Sequence, residues 1–150
     1  MQAIAFLRQQ HGEAKSAFQK IEAASPAQRG ALWQTLRPAL TLHEQIEERH
    51  LYGPVAREVQ RDRVLSDWEA THEHQVREAE SLIRTIDGLQ PSEDRWLETV
   101  KQLRTALEAH IRKEEQEIWP RIEQVWSGPR LEEAGQQMQT TTAEHARAAR

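Results

Sequence analysis

Apolar residues recur at intervals of three and four along most of this chain, which predicts a series of amphipathic α-helices. The first predicted helix runs from about Gln2 to Ala24, and His11 falls within its apolar stripe. That stripe consists of Ile4, Leu7, Ala14, Phe18 and Ile21. Ser25-Pro26 then predicts a new helix start, because serine is a favoured N-cap and proline suits the first helical turn.

The second predicted helix runs from Pro26 to about Tyr52 and is closed by Gly53-Pro54. Pro38 lies inside it and predicts either a kink or the true start of the helix. One face carries leucines that lead to polar residues: Leu32, Leu36, Leu40, His43, Glu47 and His50. The polar residues 57–63 that follow are predicted to be a connection.

The third predicted helix runs from about Val64 to Asp87, with Gly88 as its C-terminal cap. Its inward stripe includes one histidine, and it consists of Leu65, Trp68, His72, Val76, Ala79, Ile83 and Ile86. His74 lies on the opposite, charged face. The fourth predicted helix begins near Ser92 and ends near Pro120. Its stripe includes Trp96, Val100, Leu103, Leu107, His110 and Glu114.

A fifth, shorter helix is predicted after Ser127, and the polar tail beyond it is expected to fray. No stretch alternates with period two for long enough to make a strand, so the fold class is all-α. Four long amphipathic helices with short connections predict an up-down-up-down antiparallel four-helix bundle with a short fifth C-terminal helix. We predict one bundle domain over residues 1–139 and a tail over residues 140–150.

Composition excludes several classes of function. The formal net charge is −4, so the chain has no basic footprint for nucleic acid or for an anionic membrane. It has no cysteine, which excludes thiolate-ligated metals and disulfides and fits a reducing compartment such as the cytoplasm. No apolar stretch approaches the length of a membrane span, and the N-terminus does not read as a signal peptide.

The polar positions of the stripes contain a motif that occurs twice. Residues 43–48 read HEQIEE and residues 110–115 read HIRKEE. Each copy is followed by an apolar–aromatic pair and then by a proline, Pro54 or Pro120. On a helix, residues i and i+4 share a face, so each copy directs an imidazole and a carboxylate the same way.

Two explanations account for histidines and glutamates in the core of such a bundle. They could hydrogen-bond to one another as a structural network, because buried polar groups need partners. They could instead bind metal, since imidazole nitrogen and carboxylate oxygen suit iron, manganese or zinc. Each of the four helices contributes a histidine, and two contribute the same pair at the same spacing, which favours metal. The candidate ligands are His11, His43, Glu47, His72, His110 and Glu114.

The number of candidate ligands favours two ions over one. Four imidazoles and two carboxylates exceed what a tetrahedral zinc ion uses. Two ions bridged by Glu47 and Glu114 would each receive two carboxylate oxygens and two imidazoles. An oxide or hydroxide bridge and a small ligand could complete each coordination sphere, so the centre would be reactive.

The order of these motifs resembles the hemerythrin-like, or HHE cation-binding, domain family over roughly residues 3–138. The resemblance rests on one His in helix one, His-x-x-x-Glu in helices two and four, and one His in helix three. It also includes the Glu-Glu and aromatic-Pro endings. It implies a non-heme di-iron site, with His11, His43, His72 and His110 as terminal ligands. Glu47 and Glu114 would then bridge the two ions.

The chain departs from the oxygen-carrying members of that family at one position. Those members have a His-x-x-x-His pair in the third helix, whereas Val76 follows His72 here. His50 is the best candidate for a replacement imidazole because it lies seven residues after His43, on the same face. His74 would need the third helix to be rotated. The change argues against simple oxygen carriage and leaves a coordination position for peroxide, nitric oxide or water.

The sequence thus predicts a cytoplasmic di-iron protein that binds dioxygen or a related small oxidant or radical, in sensing or in protection from oxidative or nitrosative stress. The first alternative is an enzyme that turns over peroxide or nitric oxide at the same centre. The second is a metal-independent helical interaction module, which would not need buried paired His and Glu residues. Whether the chain is an enzyme stays open at this point, as do its protein partners.

Overall fold

A computed structural model describes residues 1–149, and it is helical with no strand among those residues. Two of the nine elements in this described part are π-helical segments, here called π1 and π2. The elements are α1 (Ala3–Ala23), α2 (Pro26–Glu47), π1 (Glu48–Tyr52), α3 (Gly53–Glu58), α4 (Arg63–Asp87), α5 (Asp94–Lys113), π2 (Glu114–Ile118), α6 (Trp119–Val125) and α7 (Gly128–Ala148).

The two motif copies do not end their helices, which corrects the sequence prediction. The segments α2, π1 and α3 follow one another without a gap, and so do α5, π2 and α6. Pro54 and Pro120 fall in the first turn of α3 and α6. Each proline lacks the amide hydrogen that would bond to the preceding turn of a continuous helix. The wider π turn before it accommodates this break in the hydrogen-bond pattern.

The four long helical runs form the predicted antiparallel bundle. Helix α1 packs against α2 and α5, and α4 packs against α5. Helix α2 begins at Pro26 and continues through Pro38, so it starts at the first of these prolines. Side-chain caps fix three of the helix starts. Gln2 accepts from the amides of Ile4 and Ala5, Asp62 accepts from that of Leu65, and Ser127 accepts from that of Arg130.

The fifth run, α7, is longer than the sequence predicted. It remains helical through Ala148, and Thr141 is partly buried, so the segment after residue 139 is not a separate frayed tail in the described residues. Helix α7 packs against α1 and π1. Gly135 permits the close approach, because a Cβ atom there would collide with the carbonyl oxygen of Met1.

Two apolar clusters fill the bundle, one at each end. Core 1 packs around α7 and both π segments, and it includes Tyr52, Trp68, Trp119 and Trp126. Core 2 lies at the opposite end and includes Phe18, Trp33 and Trp96. The buried histidines and glutamates belong to neither cluster and, apart from His50 beside α7, lie between them along the helices. The bundle is therefore apolar at both ends and polar in the middle.

Candidate metal centre

The structure brings six of the predicted ligands together in the middle of the bundle. Two overlapping groups of ligand atoms form, and within each group all atoms lie within 4.8 Å of one another. Half-site 1 consists of His11, His43, Glu47 and Glu114. Half-site 2 consists of Glu44, Glu47, His72 and His110. All these residues except Glu44 and His43 are buried, and those two are largely enclosed.

Glu47 belongs to both half-sites and spans them. Its Oε1 lies 2.8 Å from Nε2 of His43 and 3.7 Å from Nε2 of His11. Its Oε2 lies 3.0 Å from Nε2 of His72 and 3.9 Å from Nε2 of His110. One carboxylate oxygen thus faces each half-site, which is the arrangement that a carboxylate needs to bridge two ions.

Glu114 is placed differently, although it occupies the same position in the second motif copy. Its Oε1 lies 3.4 Å from Nε2 of His11 and 3.2 Å from Nε2 of His110. Its Oε2 accepts a short hydrogen bond from the hydroxyl of Tyr52, which in turn accepts one at 2.9 Å from the indole N–H of Trp119. One oxygen of Glu114 therefore faces the imidazoles, and the other is held by the aromatic residues of core 1.

The motif histidines are oriented by glutamine side chains. Nδ1 of His43 donates to Oε1 of Gln10 at 2.7 Å, and Nδ1 of His110 donates to Oε1 of Gln75. Because each Nδ1 carries a hydrogen, Nε2 is the ring nitrogen that faces the centre and is left to bind there. Outer hydrogen bonds of this kind fix the tautomer and the ring orientation of metal-binding histidines.

The other two histidines face the second glutamate of each motif. Nδ1 of His11 lies 3.6 Å from Oε1 of Glu115, and Nδ1 of His72 lies 3.8 Å from Oε2 of Glu48. Their Nε2 atoms also point inward. All four imidazoles of the centre thus present Nε2 to the interior and Nδ1 to an oxygen atom.

The carboxylates dominate the electrostatics of the imidazoles. Burial disfavours the charged form of His11, but the facing carboxylates of Glu114 and Glu47 outweigh it and raise the pKa of His11 to about 9. The same competition raises the pKa of His110 to about 10 and that of His72 to about 12. In the metal-free protein these imidazoles hold protons at neutral pH, and a metal ion would have to displace them.

The pKa of Glu47 is shifted downward, whereas the pKa of Tyr52 is shifted upward. Burial would raise the pKa of Glu47, yet the charge of His43 and the nearby imidazoles of His11 and His110 hold it well below its usual value. Burial and the neighbouring carboxylates of Glu114 and Glu47 raise the pKa of Tyr52 well above its usual value. Tyr52 therefore keeps its proton and acts as a donor to Glu114.

Several polar atoms of the centre are buried without a hydrogen-bond partner, which is a test of whether its residues fit metal ions. They are His11 Nε2, His110 Nε2, Glu47 Oε1 and Glu114 Oε1, and all four point inward. Leaving such atoms unpaired in an apolar interior costs about 1–3 kcal/mol each. Imidazole nitrogens and carboxylate oxygens at these separations fit divalent first-row cations, so the donor set fits a pair of such ions.

Sequence reasoning missed one member of the donor set, Glu44. Its Oε2 lies 2.8 Å from Nε2 of His72, beside the Oε2 of Glu47. The signal was present in the sequence, because Glu44 precedes Glu47 by three residues and so shares its face of the helix. It was hidden because the second motif copy has Ile111 at the matching position.

The structure does not bring His50 into either half-site. Its Nε2 lies 2.8 Å from the Thr141 hydroxyl of α7. The spacing of seven residues from His43 would keep both on one face of a regular α-helix. The change to π-helix at Glu48 turns the following residues away from that face. His74 is exposed and lies 3.0 Å from Glu78, on the outer face where the sequence placed it.

Comparisons with known proteins agree with this architecture. The family model described as Hemerythrin HHE cation binding domain matches residues 2–122. The fold is similar to the crystal structure of a hemerythrin HHE cation-binding-domain-containing protein from Mycobacterium kansasii, with a TM-score of 0.85 and 23% sequence identity. The match covers 99% of this chain and 90% of that one. No curated protein matches the sequence. Within residues 1–149, no helix combines the length and the apolar character that crossing a membrane requires.

Proposed function

Because the chain belongs to the hemerythrin HHE cation-binding domain family, we propose that its two half-sites hold a non-heme pair of iron ions. His11 and His43 would bind one ion, and His72 and His110 the other. Glu47 and Glu114 would bridge them, and Glu44 would be a further ligand on the side of His72. Such a pair supplies reversible binding and reduction of small oxidants.

The observation that carries this proposal is the position of Glu47. Its two oxygens lie 2.8 Å and 3.0 Å from imidazole nitrogens of opposite half-sites. A hydrogen-bonded network with no metal would not need four inward Nε2 atoms around a buried carboxylate that faces both ways. The unpaired inward atoms of His11, His110 and Glu114 support the same conclusion.

The side chains around the centre have three roles in this proposal. Gln10 and Gln75 hold the motif imidazoles in one tautomer. Trp119 stacks on the His11 ring at a centroid distance of 4.7 Å and excludes water from that side. Tyr52 holds a proton against one oxygen of Glu114, which keeps that oxygen from acting as a free base.

We propose binding of dioxygen or a related small oxidant or radical as the function, in sensing or in protection from oxidative or nitrosative stress in the cytoplasm. The second candidate is turnover of peroxide or nitric oxide, and one observation favours it. Val76 occupies the position at which the oxygen-carrying relatives have an imidazole. The carboxylate of Glu44 lies beside His72 in this half-site instead. A carboxylate favours the higher oxidation state of iron more than an imidazole does, so long-lived reversible binding is disfavoured.

Metal analysis with an optical spectrum tests the proposal. Protein produced in iron-rich medium should contain close to two iron ions per chain and show near-ultraviolet charge-transfer absorption of a ferric pair in air. After anaerobic reduction, dioxygen should reoxidise the centre within minutes without a long-lived adduct. One zinc ion per chain, or no metal at all, would refute the di-iron proposal. A dioxygen adduct stable for hours would favour oxygen storage over turnover of peroxide or nitric oxide.

A further inference from the structure

A cavity of about 690 Å³ adjoins the centre between α1, α2 and α5. At one end it is lined by His11, His43 and His110. Towards the other end its walls are Phe18 and Leu36 of core 2 and the neighbouring Leu32. Two cations also line that end, the exposed Lys20 and Arg104, which is paired with Glu22 and Glu108. The walls are therefore mainly apolar away from half-site 1, and the end with the imidazoles is half-site 1.

The size of this cavity exceeds what the proposed small oxidants require. A water molecule occupies about 30 Å³ of liquid, and dioxygen or peroxide is of similar size. Cavities of about 300–1,000 Å³ are typical of sites for larger organic ligands. The volume of about 690 Å³ thus lies in the range of an organic ligand rather than a diatomic one.

Small side chains produce the space. Ala14 and Ala17 of α1 line the cavity where a bundle helix would usually present larger apolar residues to its neighbours. Leu40 and Leu107 also point into it and stay only partly buried. Since inward-facing leucines are normally covered by other side chains, the middle of the bundle lacks apolar packing on this side.

We infer that this cavity binds an unbranched alkyl chain whose anionic oxygen head group faces His11 and His43. The orientation follows from the polar-to-apolar change along the cavity, and coordination of the head group rests on the di-iron proposal above. His43 and Leu32 are separated by about 16 Å along α2. An extended alkyl chain advances about 1.3 Å per bond, because its C–C bonds of about 1.5 Å zigzag about the chain axis. The length therefore matches a chain of roughly thirteen carbon atoms. The amide nitrogen of Gln10, whose oxygen is held by His43, is a second donor at the polar end.

A second cavity of about 570 Å³ lies on the other side of the bundle and is less suited to such a ligand. Acidic side chains outnumber basic ones in its lining, since Glu44, Glu48, Glu73 and Glu80 face only Arg49 and Arg77. Acidic and basic side chains are equal in number in the first cavity, so the second would repel an anionic head group more strongly. Leu40 and Leu107 line both cavities and separate them.

Calorimetric titration with straight-chain carboxylates tests the inference, using acetate, octanoate and decanoate below their micelle concentrations. Burial of each methylene group is expected to tighten binding about threefold to fourfold. Decanoate should therefore bind at least a hundredfold more tightly than acetate. Ala17→Phe fills the cavity and should weaken decanoate at least tenfold while leaving acetate unchanged. Ala31→Phe is the matched control, because Ala31 is an exposed alanine that does not line the cavity.

The result that overturns the inference is a dissociation constant independent of chain length, or equal decanoate binding by wild type and Ala17→Phe. Equal losses in Ala17→Phe and Ala31→Phe would overturn it as well. If Ala17→Phe does not fold, Ala14→Leu provides the same test with a smaller addition. Titrations of metal-loaded and metal-free protein separate the two proposals. Chain-length dependence without metal uptake would support the alkyl site and refute the iron centre. Metal uptake without chain-length dependence would support the iron centre and refute the alkyl site.

Discussion

Half-site 1 and half-site 2 are built from matching positions of two helix pairs, yet their surroundings carry different charge. Behind half-site 1, Glu115 lies 3.9 Å from the guanidinium of Arg8. Behind half-site 2, Glu48 forms an acidic group with Glu69 and Glu73. Half-site 2 also contains Glu44, where half-site 1 has the apolar side chain of Ile111.

This difference predicts that the two ions are not equivalent. More carboxylate oxygens surround half-site 2, so a cation there is stabilised more and should be released last. Half-site 1 has fewer anionic donors and borders the apolar cavity. We therefore expect exogenous ligands to reach half-site 1 first. In the proposed centre, the repeated motif would determine which residues bind the ions, and the neighbouring charges would determine how strongly each half-site binds.

Removal of Glu47 should have the largest effect of the substitutions considered. Because both half-sites share Glu47, its loss should weaken both and remove the difference between them. Glu47→Ala takes one oxygen from each ion, so metal affinity should fall by more than about a hundredfold and most of both ions should be lost. Elemental analysis of the purified variant measures this. Glu117→Ala is the control, because Glu117 is an exposed glutamate paired with Lys113. Retention of two ions by Glu47→Ala would show that Glu47 is not a bridge.

Removal of Glu44 should affect one half-site and thereby sharpen the comparison. Glu44→Gln keeps the shape of the side chain but loses its charge, so the ion beside His72 should bind about tenfold to a hundredfold more weakly. Timed release to a chelator should then change from one slow and one fast ion to two fast ions. Ile111→Glu makes the reciprocal change and should slow release from half-site 1. Identical release profiles for wild type and Glu44→Gln would remove Glu44 from the ligand set.

The pH dependence of the metal-free protein should also distinguish the half-sites. The carboxylates of Glu114 and Glu47 raise the pKa of His11 to about 9 against burial. An imidazole in the unfolded chain titrates near 6.5, so the native state holds the extra proton between these pH values. The contribution of His11 to the free energy of unfolding should therefore be fully present below about pH 6.5 and fall by about 3 kcal/mol as the pH rises through 9.

Urea denaturation of chelated protein at a series of pH values measures this fall. His72, whose pKa is raised to about 12, should keep its proton over that interval, so proton loss should begin at half-site 1. A His11→Gln variant should show a flatter pH profile. Stability that increases between pH 7 and 9 would contradict the sign of this prediction.

Tyr52→Phe should have a smaller effect, on the Glu114 side only. It removes the donor to Oε2 of Glu114 and the acceptor for the Trp119 indole, both of which are buried. We expect a loss of about 1–2 kcal/mol in the free energy of unfolding of the metal-free protein. Metal content should stay near wild type, since Oε1 of Glu114 still faces the imidazoles. Loss of both ions would instead make the phenol essential to the centre.

His50→Ala should have the smallest effect. His50 bonds to Thr141 rather than to the centre, so metal content and optical spectrum should not change. The loss of one hydrogen bond should lower the free energy of unfolding by about 1 kcal/mol or less. His145→Ala, at an exposed position of α7, is the control. A changed spectrum in His50→Ala would restore His50 as the replacement imidazole.

The sequence predicted the bundle and six of the residues that converge, because both depend on local periodicity. An apolar stripe of period 3.6 fixes the inward face of a helix, and any polar residue in that stripe must lie in the core. His72 and His74 illustrate the precision of this reasoning, since a shift of two residues separates an inward imidazole from an exposed one. The family resemblance rested on the same periodic positions.

The π turns and their consequences could not be predicted in this way. A π turn replaces i→i+4 bonds with i→i+5 bonds, and packing of the surrounding helices determines where that exchange is favourable. Sequence periodicity assumes a constant rotation per residue, so it placed His50 on the inward face. It also ended two helices at Pro54 and Pro120. The contact of Glu44 with His72 was missed for a different reason, because it joins two helices and has no equivalent in the second motif copy.

The helix pairs α1–α2 and α4–α5 each contribute one histidine followed by one His-x-x-x-Glu-Glu motif, so a single such hairpin contains half of the centre. Two identical hairpins related by a twofold axis could build the same four-imidazole arrangement as a homodimer. That symmetry would force equal half-sites, with either two copies of Glu44 or none. Joining both hairpins in one polypeptide lifts this constraint. Glu44 can then be acquired on one side while Ile111 is kept beside the cavity on the other.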